Sequence, residues 1–100
     1  MISIKETETT DGKVLAACDE ELLGKNFKET GRTLEVRESF YGGKIVTIEE
    51  FSDKLQACTI ANLVGDIVVG KALELGLVAE SSVIRIQNVP HAQILFFKTA

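Results

Sequence analysis

The chain has no tryptophan, one tyrosine, one histidine, one proline, one methionine and two cysteines in 100 residues. A single histidine, His91, cannot build the usual zinc centres, because no H-E-x-x-H, no second histidine and no clustered cysteines accompany it. Cys18 and Cys58 stand forty positions apart without a C-x-x-C pair, so cysteine-based metal or redox work is not expected and the thiols point to a reducing compartment. No metal and no cofactor are predicted. Neither G-x-x-x-x-G-K-S/T nor G-x-G-x-x-G occurs, which argues against nucleotide hydrolysis. Met1-Ile2-Ser3-Ile4-Lys5-Glu6 lacks the basic start and long apolar stretch of an export signal and reads as strand instead. The longest weakly charged stretch, 57–69, holds Thr59, Asn62, Gly65 and Asp66 and is too short and polar to cross about 30 Å of hydrocarbon. A cytoplasmic protein without a membrane partner is expected.

What is present is one domain's worth of chain. Hydrophobic residues make up 45%, enough for one modest core without a disulfide or metal staple. Eleven basic against fifteen acidic side chains leave a net charge of −4. General attraction to a nucleic-acid backbone is therefore not favoured, DNA is not an expected partner, and any phosphate-binding patch must be local. Residues 1–53 carry seven basic and twelve acidic side chains, and the rest four and three. That acid-rich half either solubilises the domain or meets a basic protein partner.

Hydrophobic periodicity and turn residues divide the chain. Ile2 and Ile4 alternate with polar residues up to Asp11-Gly12, a hairpin signal, and Lys13 to Cys18 is the returning strand. Asp19 to Gly24 has an aspartate as cap, early acids and a terminal glycine, the pattern of one helical turn. Leu34 and Val36 mark a half-buried strand from Arg32, followed by a loop over Ser39 to Gly43. Thr47-Ile48-Glu49-Glu50 is a capping box opening a helix from Ile48 to about Ala57, whose stripe is Ile48, Phe51, Leu55 and Cys58. A second helix is predicted to start between Asn62 and Asp66 and to end at Leu75, with Gly76 as its stop. Gly70 inside it suggests close approach of another backbone. Val83 to Gln87 and Ala92 to Phe97 read as strands joined by Asn88-Val89-Pro90-His91, the last strand lying centrally. The expected fold is a single small α+β domain, a mostly antiparallel sheet covered on one face by a helix pair, in the order β-β-β-α-α-β-β.

Candidate site residues cluster where these elements end. His91, fixed by Pro90, either presents an imidazole for proton transfer or hydrogen bonding, or caps the loop through a backbone carbonyl. Gln93 shares its strand face if the segment is regular. Asn62 opens a helix either as an ordinary N-cap or as part of an anion site. Phe40 and Tyr41, followed by Gly42 and Gly43, either stack on a base or fill a partner's pocket, or tuck into the core and an edge. Both cysteines read as buried thiols rather than nucleophiles.

Cys18-Asp19-Glu20-Glu21-Leu22-Leu23-Gly24-Lys25, Ser39-Phe40-Tyr41-Gly42-Gly43, Ala61-Asn62-Leu63-Val64-Gly65 and Val89-Pro90-His91-Ala92-Gln93 together resemble the archaeal domain-of-unknown-function family 424. The resemblance runs across nearly the whole chain and implies a small archaeal protein of a family with no established activity. The chain departs from it at Gln87-Asn88, where the family pattern expects a glycine-containing turn. The leading functional expectation is a binding protein without turnover. It recognises an RNA-containing or protein partner through Phe40, Tyr41, Gly42, Gly43, Asn62, His91 and Gln93. The alternatives are a small-molecule enzyme using His91 as acid or base and a structural homo-oligomer.

Overall fold

The computed structural model describes residues 1–96. Strand β1 (Ile2–Thr9) and strand β2 (Gly12–Asp19) pair antiparallel along their whole length, with Ile2 opposite Asp19 and Thr9 opposite Gly12. A single 3₁₀ turn (Glu20–Leu22) follows and the chain reverses at Gly24. The run from Arg32 is a strand, as its alternation predicts, but it stands apart from the main sheet. Strands β3 (Asn26–Glu29) and β4 (Arg32–Glu35) form a separate two-stranded ribbon.

The predicted loop over Ser39 to Gly43 is instead mostly a helical turn, α1 (Glu38–Tyr41), which leads into β5 (Lys44–Val46). Helix α2 (Ile48–Ala57) starts where the capping box places it, with Thr47 Oγ1 accepting from the Glu50 amide at 3.2 Å. Its stripe is narrower than predicted. Phe51 and Leu55 are buried, as is Cys58 just past the last turn, but Ile48 is 38% exposed.

The largest correction concerns the segment after α2. Ile60–Val64 is not the approach to a helix but an interior strand, β6, and helix α3 (Asp66–Glu74) begins only after it. Asn62 lies in mid-strand and is no N-cap. Gly76 does stop α3, with φ of 73°. Gly70 has no atom within 4 Å of where its β-carbon would stand, so no close backbone approach explains it.

The final hairpin also turns earlier than expected. Strands β7 (Ile84–Ile86) and β8 (Val89–Leu95) meet at Gln87 and Asn88, both left-handed at φ of 51° and 65°. Two consecutive left-handed residues make the tight hairpin turn that favours glycine, here built from two non-glycine residues. Val89, Pro90 and His91 are therefore strand, not loop. Pro90 is tolerated because its carbonyl accepts from the Gly65 amide at 2.9 Å, and its nitrogen faces the same side, where β6 has already ended. Phe97, assigned to this strand from sequence, lies outside the described residues.

The six-stranded sheet has the order β5-β1-β2-β6-β8-β7, with β2 and β6 parallel and every other neighbour antiparallel. Helices α2 and α3 cover one face, packing Phe51, Leu55, Val68 and Ala72 on Ile4, Leu15, Leu63 and Ile94. The ribbon β3–β4 and helix α1 cover one end of the other face, where Leu34, Val36 and Tyr41 meet Cys18, Val64 and Ile86. Among the described residues, no helix or ribbon covers the remainder of that second face.

Candidate functional site

Strand register assembles the open face row by row. Paired residues project to the same side, and alternate residues along each strand share it. One row is Ser3, Cys18, Val64 and His91. The next is Lys5, Ala16, Asn62 and Gln93, and the third Thr7, Val14, Ile60 and Leu95. The first row runs under the ribbon and α1. In the second row Ala16 is still buried in the cluster beneath the ribbon, Asn62 is half-buried and Gln93 exposed, and in the third Val14 and Ile60 are half-buried and Leu95 is 55% exposed. Alternation sends the acids Glu6, Glu8 and Asp19 to the opposite face. Among the described residues, no acidic side chain of the six strands projects on this one, although the protein carries a net charge of −4.

Asn62 and Gln93 are direct cross-strand partners, so their β-carbons stand about 5 Å apart and their carboxamides lie side by side. His91 is two residues from Gln93 on the same side. No buried side-chain nitrogen or oxygen among the described residues lacks a hydrogen-bond partner. Among the described residues Asn62 and His91 make no side-chain hydrogen bond, so their polar atoms are not sealed from solvent. Burial pushes the His91 pKa below the ordinary histidine value. At neutral pH its ring is therefore uncharged, with one donor and one acceptor nitrogen. The face thus offers two carboxamides and a neutral imidazole, each a donor and an acceptor, framed by Val14, Ile60 and Leu95.

The aromatic pair behaves differently from expectation. Tyr41 is 5% exposed and belongs to the core beneath this face, whereas Phe40 is 44% exposed. Tyr41 cannot be a surface reader because its ring fills the space between Cys18, Val64 and the ribbon. Its hydroxyl is pushed up to about 12 by burial and then by Cys18. The Phe40 ring stands edge-on to it, with centroids 4.9 Å apart and planes at 76°. Gly42 and Gly43 do not supply left-handed turns. A β-carbon on Gly42 would lie 2.6 Å from the Glu38 carbonyl oxygen, and one on Gly43 2.6 Å from that of Ile4. Gly42 lets the chain close on the first residue of α1 itself and Gly43 lets it press on β1, and α1 is tied to the sheet by Ser3 Oγ donating to the Tyr41 carbonyl at 2.9 Å and Lys5 Nζ to the Ser39 carbonyl at 2.7 Å. The structure brings Asn62, His91 and Gln93 together, keeps Phe40 accessible on the turn roofing the end of that face, and gives Tyr41, Gly42 and Gly43 to its support.

The helix start that sequence reasoning offered to an anion is already filled. Asp19, 3% exposed, ends β2 beside the end of β6. Its carboxylate accepts from the Ile67 amide at 3.0 Å and the Val68 amide at 3.1 Å. Burial raises the Asp19 pKa, while those two amides pull it back down. Gly65 makes room: at φ of 124°, a β-carbon there would stand 2.6 Å from Asp19 Oδ1. No local pattern announces this, since the partners are 48 and 49 positions apart. The available hint is an aspartate closing a run of small apolar strand residues.

Nucleophilic chemistry finds little support in the same geometry. The Cys18 thiol is pushed up to about 12 by burial and by Asp19 and Glu21, so it stays protonated, and it lies two strands from His91, about 10 Å away. Cys58 is buried, with its thiol 3.2 Å from the Leu55 carbonyl oxygen. Among the described residues, no three His, Cys, Asp or Glu side chains gather as a metal site, and no helix is long and apolar enough to cross a membrane.

Comparison with known proteins bears on the whole chain. Residues 7–97 match the model of a family described as "Protein of unknown function (DUF424)". The crystal structure of an uncharacterized conserved protein from Methanopyrus kandleri is similar at 30% sequence identity and a TM-score of 0.79, covering 99% of this chain and 96% of that one. No curated protein matches.

Proposed function

The chain belongs to the DUF424 family, and from that premise we propose that it is a binding module without covalent chemistry, which lays an RNA-containing partner on its open sheet face. The observation that carries this reading is Asn62. Asn62 stands in mid-strand, flanked on both sides by other strands, and its carboxamide has no hydrogen bond to another described residue, so the side chain adds no bond to the sheet. Beside Gln93 and the neutral His91 it forms a short row of donors and acceptors suited to the edges of unstacked bases. Phe40 adds an accessible ring for stacking. The absence of strand acids on this face removes the repulsion that the protein's net charge would otherwise impose.

Affinity on such a face comes from base edges and stacking more than from phosphate. Among the described residues Lys5 is the one strand cation on this face, so the salt dependence of single-strand binding is shallow, with a slope of roughly −0.7 in log K against log salt for one phosphate contact. A reading in which His91 is a general acid or base has less behind it, because among the described residues no carboxylate projects from the strands beside it and the Cys18 thiol of its row lies two strands away.

The test recovers the tagged full chain from archaeal lysate with and without ribonuclease. RNA or ribonucleoprotein components retained by the wild type, released by ribonuclease and lost in Asn62→Val and Gln93→Ala, support the proposal. Recovery that ignores both substitutions, or a preparation free of RNA, overturns it.

A further inference from the structure

Strand β1 has partners on both sides for only part of its length. All eight residues from Ile2 to Thr9 pair with β2, but only Ile2, Ser3 and Ile4 pair with β5, opposite Val46, Ile45 and Lys44. The neighbour ends there because the chain at Gly43 presses against β1. A β-carbon on Gly43 would lie 2.6 Å from the Ile4 carbonyl oxygen and 3.4 Å from the Lys5 α-carbon. Among the described residues, no backbone group outside the β1–β2 ladder bonds to the main chain of Lys5 to Thr9. The backbone groups of that stretch that point away from β2 therefore lie unpaired at the sheet edge. A cavity of about 270 Å³, lined by Ile4, Lys5, Glu6, Gly43 and Lys44, opens where β5 leaves.

We propose that the free edge from Lys5 to Thr9 is a strand-addition site for an extended, basic segment of another protein, in line with β5. Main-chain hydrogen bonds supply the affinity of such a site and alternate side chains its selectivity. The charges decide what is admitted. A second copy pairing through a two-fold axis perpendicular to the sheet must match equal faces. Every such register centred on Lys5, Glu6, Thr7 or Glu8 then sets like charges opposite: Lys5 on Lys5, Glu6 on Glu6, Glu6 on Glu8, or Glu8 on Glu8. Such pairs oppose association. Glu6 is already held by Lys54 at 2.8 Å and Lys13 at 3.5 Å, whereas Glu8 has no ion pair among the described residues. A partner strand with lysine or arginine on the Glu8 side and threonine or serine beside Thr7 and Thr9 meets both faces. This site lies on an edge of the sheet, separate from the carboxamide row, and does not depend on the RNA reading.

The experiment uses the full chain and a synthetic peptide of alternating threonine and lysine, with a threonine and glutamate counterpart. Backbone amide shifts and hydrogen exchange are followed by NMR. The expected result is slowing of exchange by at least about tenfold at alternate amides within Lys5 to Thr9, with shifts extending to Gly43 and Lys44, for the basic peptide only. Glu8→Lys exchanges the preference of the two peptides, and N-methylation of alternate peptide amides abolishes binding in one of its two phases. Protection elsewhere, equal protection by both peptides, indifference to both N-methylated forms, or no protection overturns the proposal.

Discussion

An asparagine in an interior strand is a poor choice for the strand itself, since branched and aromatic residues fit a pleated surface better. Asn62→Val should therefore raise stability by about 0.5 to 1 kcal/mol in denaturant unfolding while removing partner binding. Asp19 works in the opposite sense. Asp19→Ala leaves the Ile67 and Val68 amides without their acceptor and should lower stability by about 1 to 3 kcal/mol, with Asp19→Asn losing less. His91 ties stability to pH. Its folded pKa lies below the ordinary 6.5, so the unfolded chain binds the proton more readily. The contribution is complete above pH 6.5 and is lost as pH falls toward the folded value. Asp19, whose pKa is raised, acts with the opposite sign, so the assignment rests on His91→Gln, which should flatten the decline seen in urea midpoints on acidification. Of these residues the sequence singled out Asn62, His91 and Gln93, but it placed Asn62 at a helix start. Asp19 was invisible as an internal cap because its partners arrive from a helix far along the chain.

Helices and hairpins written in local signals were the readable elements. The Thr47 cap and the Gly76 stop act within a few residues and appear where predicted, and the first hairpin turns at Thr10-Asp11, one residue ahead of the predicted Asp11-Gly12. Strand β6 was missed because its Asn62 and the following Gly65-Asp66 imitate a helix entrance, while its strand character depends on neighbours β2 and β8. Tyr41 and Phe40 exchanged roles for a similar reason: which ring enters the core is decided by the ribbon packed above, not by the local Gly42-Gly43. Two predictions belong to this scale. Gly70→Ala places a methyl group where nothing lies within 4 Å and should stabilise α3 by about 0.5 to 1 kcal/mol, read as a raised urea midpoint. At the β7–β8 turn, Asn88→Gly should be neutral or stabilising, whereas Asn88→Val, forced to φ of 65°, should lower stability by about 1 to 2 kcal/mol.

At the scale of the whole molecule, one sheet separates two duties. Its helix-covered face carries the main core, and its other face is capped at one end by the ribbon and α1, with the row of Ala16, Asn62 and Gln93 at the margin of that cap and running from buried to exposed. Fold class and helix pairing were legible from periodicity, whereas sheet order and the capping ribbon were not. The β2–β6 pairing joins segments more than forty residues apart, and no short pattern encodes it. The central claim is that the uncovered rows receive single-stranded RNA, and the side-chain carboxamide signals of the full chain test it most directly. Gln56 and Gln87 serve as internal controls, since their amides already bond to the Ser52 and Lys28 carbonyls at 3.2 and 2.6 Å. Titration with a mixed-sequence single-stranded oligoribonucleotide should move the Asn62 and Gln93 carboxamide resonances and leave those of Gln56 and Gln87 in place. Unmoved Asn62 and Gln93 signals, or four signals moving alike, would contradict the account.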